Sequence, residues 1–159
     1  MEKSFVENDQ VVIFMLDELF YGIPLHSVVK VIHAIEVRNL SNSPEIISGI
    51  INVQGQIIPV VDIRKRLSLP AKEIDPGERM IIADTGRRLI SFIVSSVTEV
   101  RVLLPGQFEE ASHSLAFVGY ISGVAKLDDN LVLIYDLEKF LSLDEEHSLD
   151  EALAKPLNE

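Results

Sequence analysis

Few residues in this chain have types and spacings suited to chemistry. Asp84-Thr85-Gly86 follows the apolar run Ile81-Ile82-Ala83, a setting in which two carboxylates share a proton and activate a water for peptide hydrolysis. That chemistry needs a second such aspartate. The chain has no other Asp-Thr-Gly or Asp-Ser-Gly, so the second carboxylate would have to come from another copy. Arg87-Arg88 also follows where such a site needs small or apolar residues, and Asp-x-Gly is ordinary hairpin-turn chemistry. Asp62 and Asp136 can be read as a carboxylate pair or as two helix caps. His26, His33, His113 and His147 lack the spacing of metal ligands. The absence of cysteine excludes disulfides, thiolate metal sites and a cysteine nucleophile. There is no Gly-x-Ser-x-Gly elbow, Walker loop or Gly-x-Gly-x-x-Gly. Nothing assembles an active site, and no enzyme activity, cofactor or metal is expected.

The net charge of −11 is spread unevenly: −2 over residues 1–70, −4 over 71–142 and −5 over 143–159. A chain of this sign repels phosphate, and its only basic cluster, Arg64-Lys65-Arg66, reads as the solvated face of a short helix. Nucleic-acid binding is disfavoured. With 47% hydrophobic residues a core is available. The N-terminus has no signal-type apolar stretch and no segment approaches the ~18 apolar residues of a membrane span. The expectation is a soluble, cytoplasmic protein without direct membrane insertion.

The elements that must position these residues come in two sets. Ser48–Leu67 overlays Ser122–Leu141 at a shift of 74 without a gap, with five identities in 20 columns: Ser48/Ser122, Gly49/Gly123, Asp62/Asp136, Lys65/Lys139 and Leu67/Leu141. Six further columns exchange one aliphatic for another. At a shift of 69, Ser27–Val31 overlays Ser96–Val100. The first set reads as strands over 11–16 and 19–25, a short helical turn leading into a strand over 26–35, and a loop at 39–44. A hairpin follows, 50–53 and 57–61 around Gln54-Gly55, then Asp62 capping a helix over 63–67. Both hairpin strands are apolar almost throughout, as when both faces are covered. The second set repeats the order: strands at 80–83 and 89–94, a polar loop over 109–114, the second hairpin, and Asp136 ahead of 137–141. Ser148-Leu149-Asp150-Glu151 reads as a capping box opening a short helix to Lys155, stopped by Pro156.

Units of roughly 70 residues with short, turn-separated strands suggest two small barrels packed together. The division is about 10–69 for the first, 78–142 for the second, and an acidic tail with a short helix over 143–159. Val28, Val31, Ile35, Val97 and Val100 form an apolar surplus. They either line an exposed, protein-binding groove between the barrels or fill the contact between them.

The run Gly49-Ile50-Ile51-Asn52-Val53-Gln54-Gly55-Gln56-Ile57-Ile58-Pro59-Val60-Val61-Asp62-Ile63-Arg64 resembles the signature of CheW-like domains. That signature is Gly, two aliphatics, Asn, an aliphatic, Arg, Gly, then aliphatics leading to Pro-aliphatic-aliphatic-Asp-aliphatic-Arg. The resemblance covers about residues 10–142. It implies an all-β fold of two packed SH3-like, five-stranded β-barrels related by duplication, with short helices and a C-terminal helix. It also implies a non-enzymatic chemotaxis scaffold in a two-component system. Such an adaptor couples the cytoplasmic tip of methyl-accepting chemoreceptors to the regulatory domain of a CheA-type histidine kinase at membrane-associated receptor arrays. The receptor tip would lie along the groove between barrels, and the barrel ends would meet the kinase. The partner-binding residues so implied are Val28, Lys30, Val31, Val53, Gln54, Gly55, Val97 and Val100. Three positions depart from the family pattern: Gln54 replaces the usual Arg, Lys30 a frequent Glu and Ser95 a frequent Asp. The competing class is a homodimeric aspartic protease built on Asp84-Thr85-Gly86. A CheW-like domain serving a pathway unrelated to motility is a third option.

Overall fold

The computed structural model describes residues 9–110 and 121–155. Residues 1–8, residues 111–114 of the loop expected over 109–114, and Pro156 lie outside them. The strands are β1 (Gln10–Leu16), β2 (Leu19–Pro24), β3 (Val28–His33), β4 (Ile47–Val53), β5 (Gln56–Val61), β6 (Arg79–Asp84), β7 (Leu89–Val94), β8 (Ser96–Val102), β9 (Phe108–Glu110), β10 (Ile121–Leu127) and β11 (Asn130–Tyr135). Short 3-10 turns cover Leu25–Ser27 and Leu137–Lys139, and two α-helices, α1 (Ile63–Arg66) and α2 (Leu143–Leu153), complete the set. The helical turn and strand expected over 26–35 are present in that order. The all-β expectation of two SH3-like units with short helices and a C-terminal helix holds. One sheet has five strands, as expected, and the other six.

The sheets do not follow the chain-order division at 69/78. The six-stranded sheet runs β8-β1-β2-β11-β10-β9 and the five-stranded sheet β3-β6-β7-β5-β4. The hairpin β1–β2 of the first repeat therefore sits among strands of the second, and β6–β7 sits among strands of the first. The repeat is nevertheless kept pair by pair. Val12 faces Val100 as Ile81 faces Val31, and β2 runs parallel to β11 (Gly22 beside Ile134) as β7 does to β5 (Ser91 beside Val60). Side-chain volume is exchanged at that crossing. A Cβ on Gly22 would lie 2.7 Å from Ile134 Cδ1, whereas the smaller Val60 leaves room for Ser91.

Continuous apolar strands follow from this arrangement, because each face of a central strand meets a different core. Val11 and Ile13 of β1 join a cluster confined to the six-stranded unit, with Leu103, Ala125, Leu127, Val132 and Ile134. Met80 and Ile82 of β6 join Ile51, Ile58 and Val60 within the other. The alternate residues Val12, Phe14, Leu16, Ile81 and Ala83 enter one large cluster drawn from both sheets. At its centre five aromatic rings close a circuit: Phe14–Tyr21 (5.9 Å), Tyr21–Tyr135 (5.6 Å), Tyr135–Phe140 (6.0 Å), Phe140–Phe92 (6.0 Å) and Phe92–Phe14 (5.7 Å).

The C-terminal helix begins six residues before the expected start and is no free tail. Its cap is Ser142, whose side chain accepts from Glu145 N–H while Glu145 accepts from Ser142 N–H, a reciprocal capping box. Leu149 and Ala152 are buried in the inter-sheet cluster. Arg66 of α1 donates to both Glu145 carboxylate oxygens at 2.7 and 2.8 Å, and Arg88 donates to Glu146 at 2.6 Å and to Asp150. These ties reward a start at Leu143, since a helix beginning at Ser148 would leave Glu145 and Glu146 off its frame.

Candidate partner-binding surface

The loop from β4 to β5 is a two-residue turn, closed by the Val53–Gln56 pair. Gln54 (φ 52°) and Gly55 (φ 88°) both occupy the left-handed region, the backbone of a type I′ hairpin. Asn52 Oδ1 accepts the Gly55 N–H at 2.8 Å. Val53 packs partly against the core of the five-stranded unit, and Gln54 and Gly55 are exposed.

The other expected residues lie on two edge strands. In β3 the register shifts between Val28 and Lys30, and in β8 a shift occurs opposite Ile13/Phe14. The first valine of each strand, Val28 or Val97, therefore turns inward and packs against the inter-sheet cluster. Lys30 is exposed. Val31 and Val100 are 39% and 47% exposed, each directly across from a residue of that same cluster, Ile81 and Val12. Both readings of the apolar surplus thus apply, to different residues: Val28 and Val97 fill the contact between units, and Val31 and Val100 are its open rim. Exposed Val29 and Val102 extend the two edges. Their exposure is not legible in the sequence, because nothing local in these two segments marks an edge strand. In the strand order β6 and β7 separate β3 from the β4–β5 hairpin, although Arg38, past the end of β3, bridges to Ile50 of β4.

The remaining candidates are structural. Asp62 Oδ1 accepts Lys65 N–H and Asp136 Oδ1 accepts Glu138 N–H, both at 3.0 Å, so both aspartates cap helical turns and do not pair. Asp84 is exposed and accepts Gly86 N–H at 2.8 Å, and Thr85 Oγ1 donates to Arg88 C=O at 3.3 Å. This is the geometry of a hairpin turn. Among the described residues no group of three or more His, Asp or Glu is placed to hold a metal. The basic cluster is not simply solvated. Arg64 forks onto Asp17 at 2.7 and 3.0 Å, and Arg66 is taken up by Glu145. Hydrogen bonds from Arg64 hold the Asp17 carboxyl below its ordinary range. Burial pushes the Glu145 carboxyl up, but the Arg66 hydrogen bonds and the Ser142 N–H outweigh it, leaving Glu145 below the usual value near 4.5.

The model of the CheW-like domain matches residues 10–145. The chain belongs to the CheW-like family. The chemotaxis protein CheW of Klebsiella aerogenes is 28% identical over 150 residues, 93% of this chain and 90% of that protein. The chemotaxis protein CheW of Thermotoga maritima is 26% identical over 132 residues, 83% of this chain and 87% of that one. The crystal structure of the scaffolding protein TtCheW from Thermoanaerobacter tengcongensis superposes with a TM-score of 0.77 at 27% identity, covering 91% of this chain and 95% of that one. As a CheW-like protein the chain is a scaffold of chemotaxis signal transduction, and nothing supports the aspartic-protease alternative. No helix among the described residues is long and apolar enough to cross a membrane.

Proposed function

We propose that this chain is a non-catalytic, cytoplasmic adaptor that couples the cytoplasmic tips of chemoreceptors to the regulatory domain of a CheA-type histidine kinase. The observation that carries the reading is the apolar rim. Val31 and Val100 occupy equivalent edge positions and continue the inter-sheet layer into solvent, which suits a helical hairpin laid along the junction of the two units. The adaptor works by geometry: it holds receptor and kinase so that receptor changes alter kinase activity, and no phosphoryl group passes through it. Lys30 and Gln54, both exposed, depart from the family signature where contact is expected. The reading is that they match a receptor–kinase pair with altered contact charges, disfavouring other pairs.

Co-sedimentation with receptor cytoplasmic fragments and kinase regulatory domains, each with and without the other, tests the adaptor reading. Binding to both, strengthened when both are present, is expected. Lys30→Glu combined with Gln54→Arg should change affinity for the protein's own receptor and kinase by about tenfold. Unchanged binding by that double variant would remove the partner-matching reading and leave the adaptor reading intact.

A further inference from the structure

We infer that Asn52 is a positioning residue for partner recognition, acting through Gln54. The inference rests on the adaptor reading and adds to it how the β4–β5 turn is presented. Two hairpin turns at equivalent places in the repeat have the same backbone. Gln54 and Gly55 have φ of 52° and 88°, and Asp128 and Asp129 have φ of 50° and 65°, each pair closed by one cross-strand pair, Val53–Gln56 or Leu127–Asn130. Gln54 is a poor occupant of the left-handed region, which Gly, Asn and Asp tolerate far better. Something must hold it there.

The two turns are held differently. At the position equivalent to Asn52 the second turn has Lys126, whose side chain has no acceptor; that turn is tied from outside by Arg101, which donates to Asp128 at 2.7 Å. Among the described residues one side-chain bond ties the Gln54 turn from within, Asn52 Oδ1 to Gly55 N–H. Asn52 is exposed and packs into no core, so its visible work is local. A Cβ on Gly55 would meet nothing within 4 Å, so the glycine serves the backbone angle, and the space above the turn is open to an approaching partner. With the bond in place, the Gln54 side chain, an uncharged donor and acceptor, leaves the apex from a backbone held at one φ. Without it, the turn has local freedom to relax Gln54 toward ordinary φ and aim the amide elsewhere.

A double-mutant cycle decides the matter. Affinities for receptor fragment and kinase regulatory domain are measured for the wild type, Asn52→Ala, Gln54→Ala and the double variant, together with hydrogen exchange at the Gly55 amide. Asn52→Ala should speed that exchange and weaken binding about tenfold, whereas Asn52→Asp, which keeps the acceptor oxygen, should hold the amide and bind within about twofold of wild type. The double variant should bind no more weakly than Gln54→Ala alone. Full additivity of the two losses, or wild-type binding by Asn52→Ala, would overturn the positioning role while leaving the adaptor reading standing. Failure of the wild type to bind either fragment would instead sink the adaptor reading and the positioning role with it.

Discussion

Ser91 is fully buried, and its Oγ has no hydrogen-bond partner among the described residues. An unsatisfied buried hydroxyl is destabilising, so Ser91→Ala should raise stability by about 1 kcal/mol, read from urea unfolding. The repeated glycines are at the opposite extreme. A Cβ on Gly49 would lie 2.1 Å from Arg38 O, and one on Gly123 would lie 2.3 Å from Glu109 O. Alanine at either site should cost at least about 2 kcal/mol, measured in the same way. The identity of these glycines was visible as a repeated column, but its reason was not. The obstructing carbonyls belong to segments outside the repeated window. The same distinction separates the charged residues. Asp62 and Asp136 were legible as caps because their partners lie two or three positions away. Arg64 and Arg66 read as solvated because their carboxylates, Asp17 and Glu145, are 47 and 79 residues distant.

Helix α2 shows what local patterns can and cannot settle. Two Ser-x-x-Glu sequences compete to open it, Ser142 to Glu145 and Ser148 to Glu151, and capping chemistry alone does not choose. Packing does. The earlier start puts Glu145 against Arg66 and Glu146 against Arg88 on the side that buries Leu149 and Ala152. Leu149→Ala should destabilise by about 2–5 kcal/mol. Because the folded Glu145 carboxyl lies below its ordinary value near 4.5, its contribution is present above that pH and is lost as pH falls through the lowered folded value. Arg66→Ala should therefore cost about 1–2 kcal/mol at neutral pH, and the gap from wild type should close on acidification below about 4.5. A gap constant from pH 7 to pH 3 would contradict this account of the clamp. On the edge strands, the apolar pattern of β3 and β8 was legible. Which valine faces solvent was not, since that depends on a bulge and on edge position.

In the whole molecule each sheet draws strands from both halves of the chain, and one aromatic circuit joins them. Sequence repetition revealed two equivalent units but could not reveal that they exchange hairpins, because both pairings satisfy the same alternation of apolar residues. The exchange makes independent unfolding of either unit implausible. Calorimetry should show a single transition with equal calorimetric and van't Hoff enthalpies, and Phe92→Ala should lower that one transition by about 3–5 kcal/mol without splitting it. Interleaving also gives the proposed surface a common backing, since Val31 and Val100 both lie opposite residues of the shared layer. Aspartate at either exposed edge valine should cost about 1 kcal/mol of stability, too little to unfold the protein. The most direct test of the adaptor reading is therefore co-sedimentation of wild type, Val31→Asp and Val100→Asp with receptor cytoplasmic fragments. Wild type should sediment with the receptor and both variants should remain behind while still folded. Absence of wild-type binding, or equal binding by all three proteins, would contradict it.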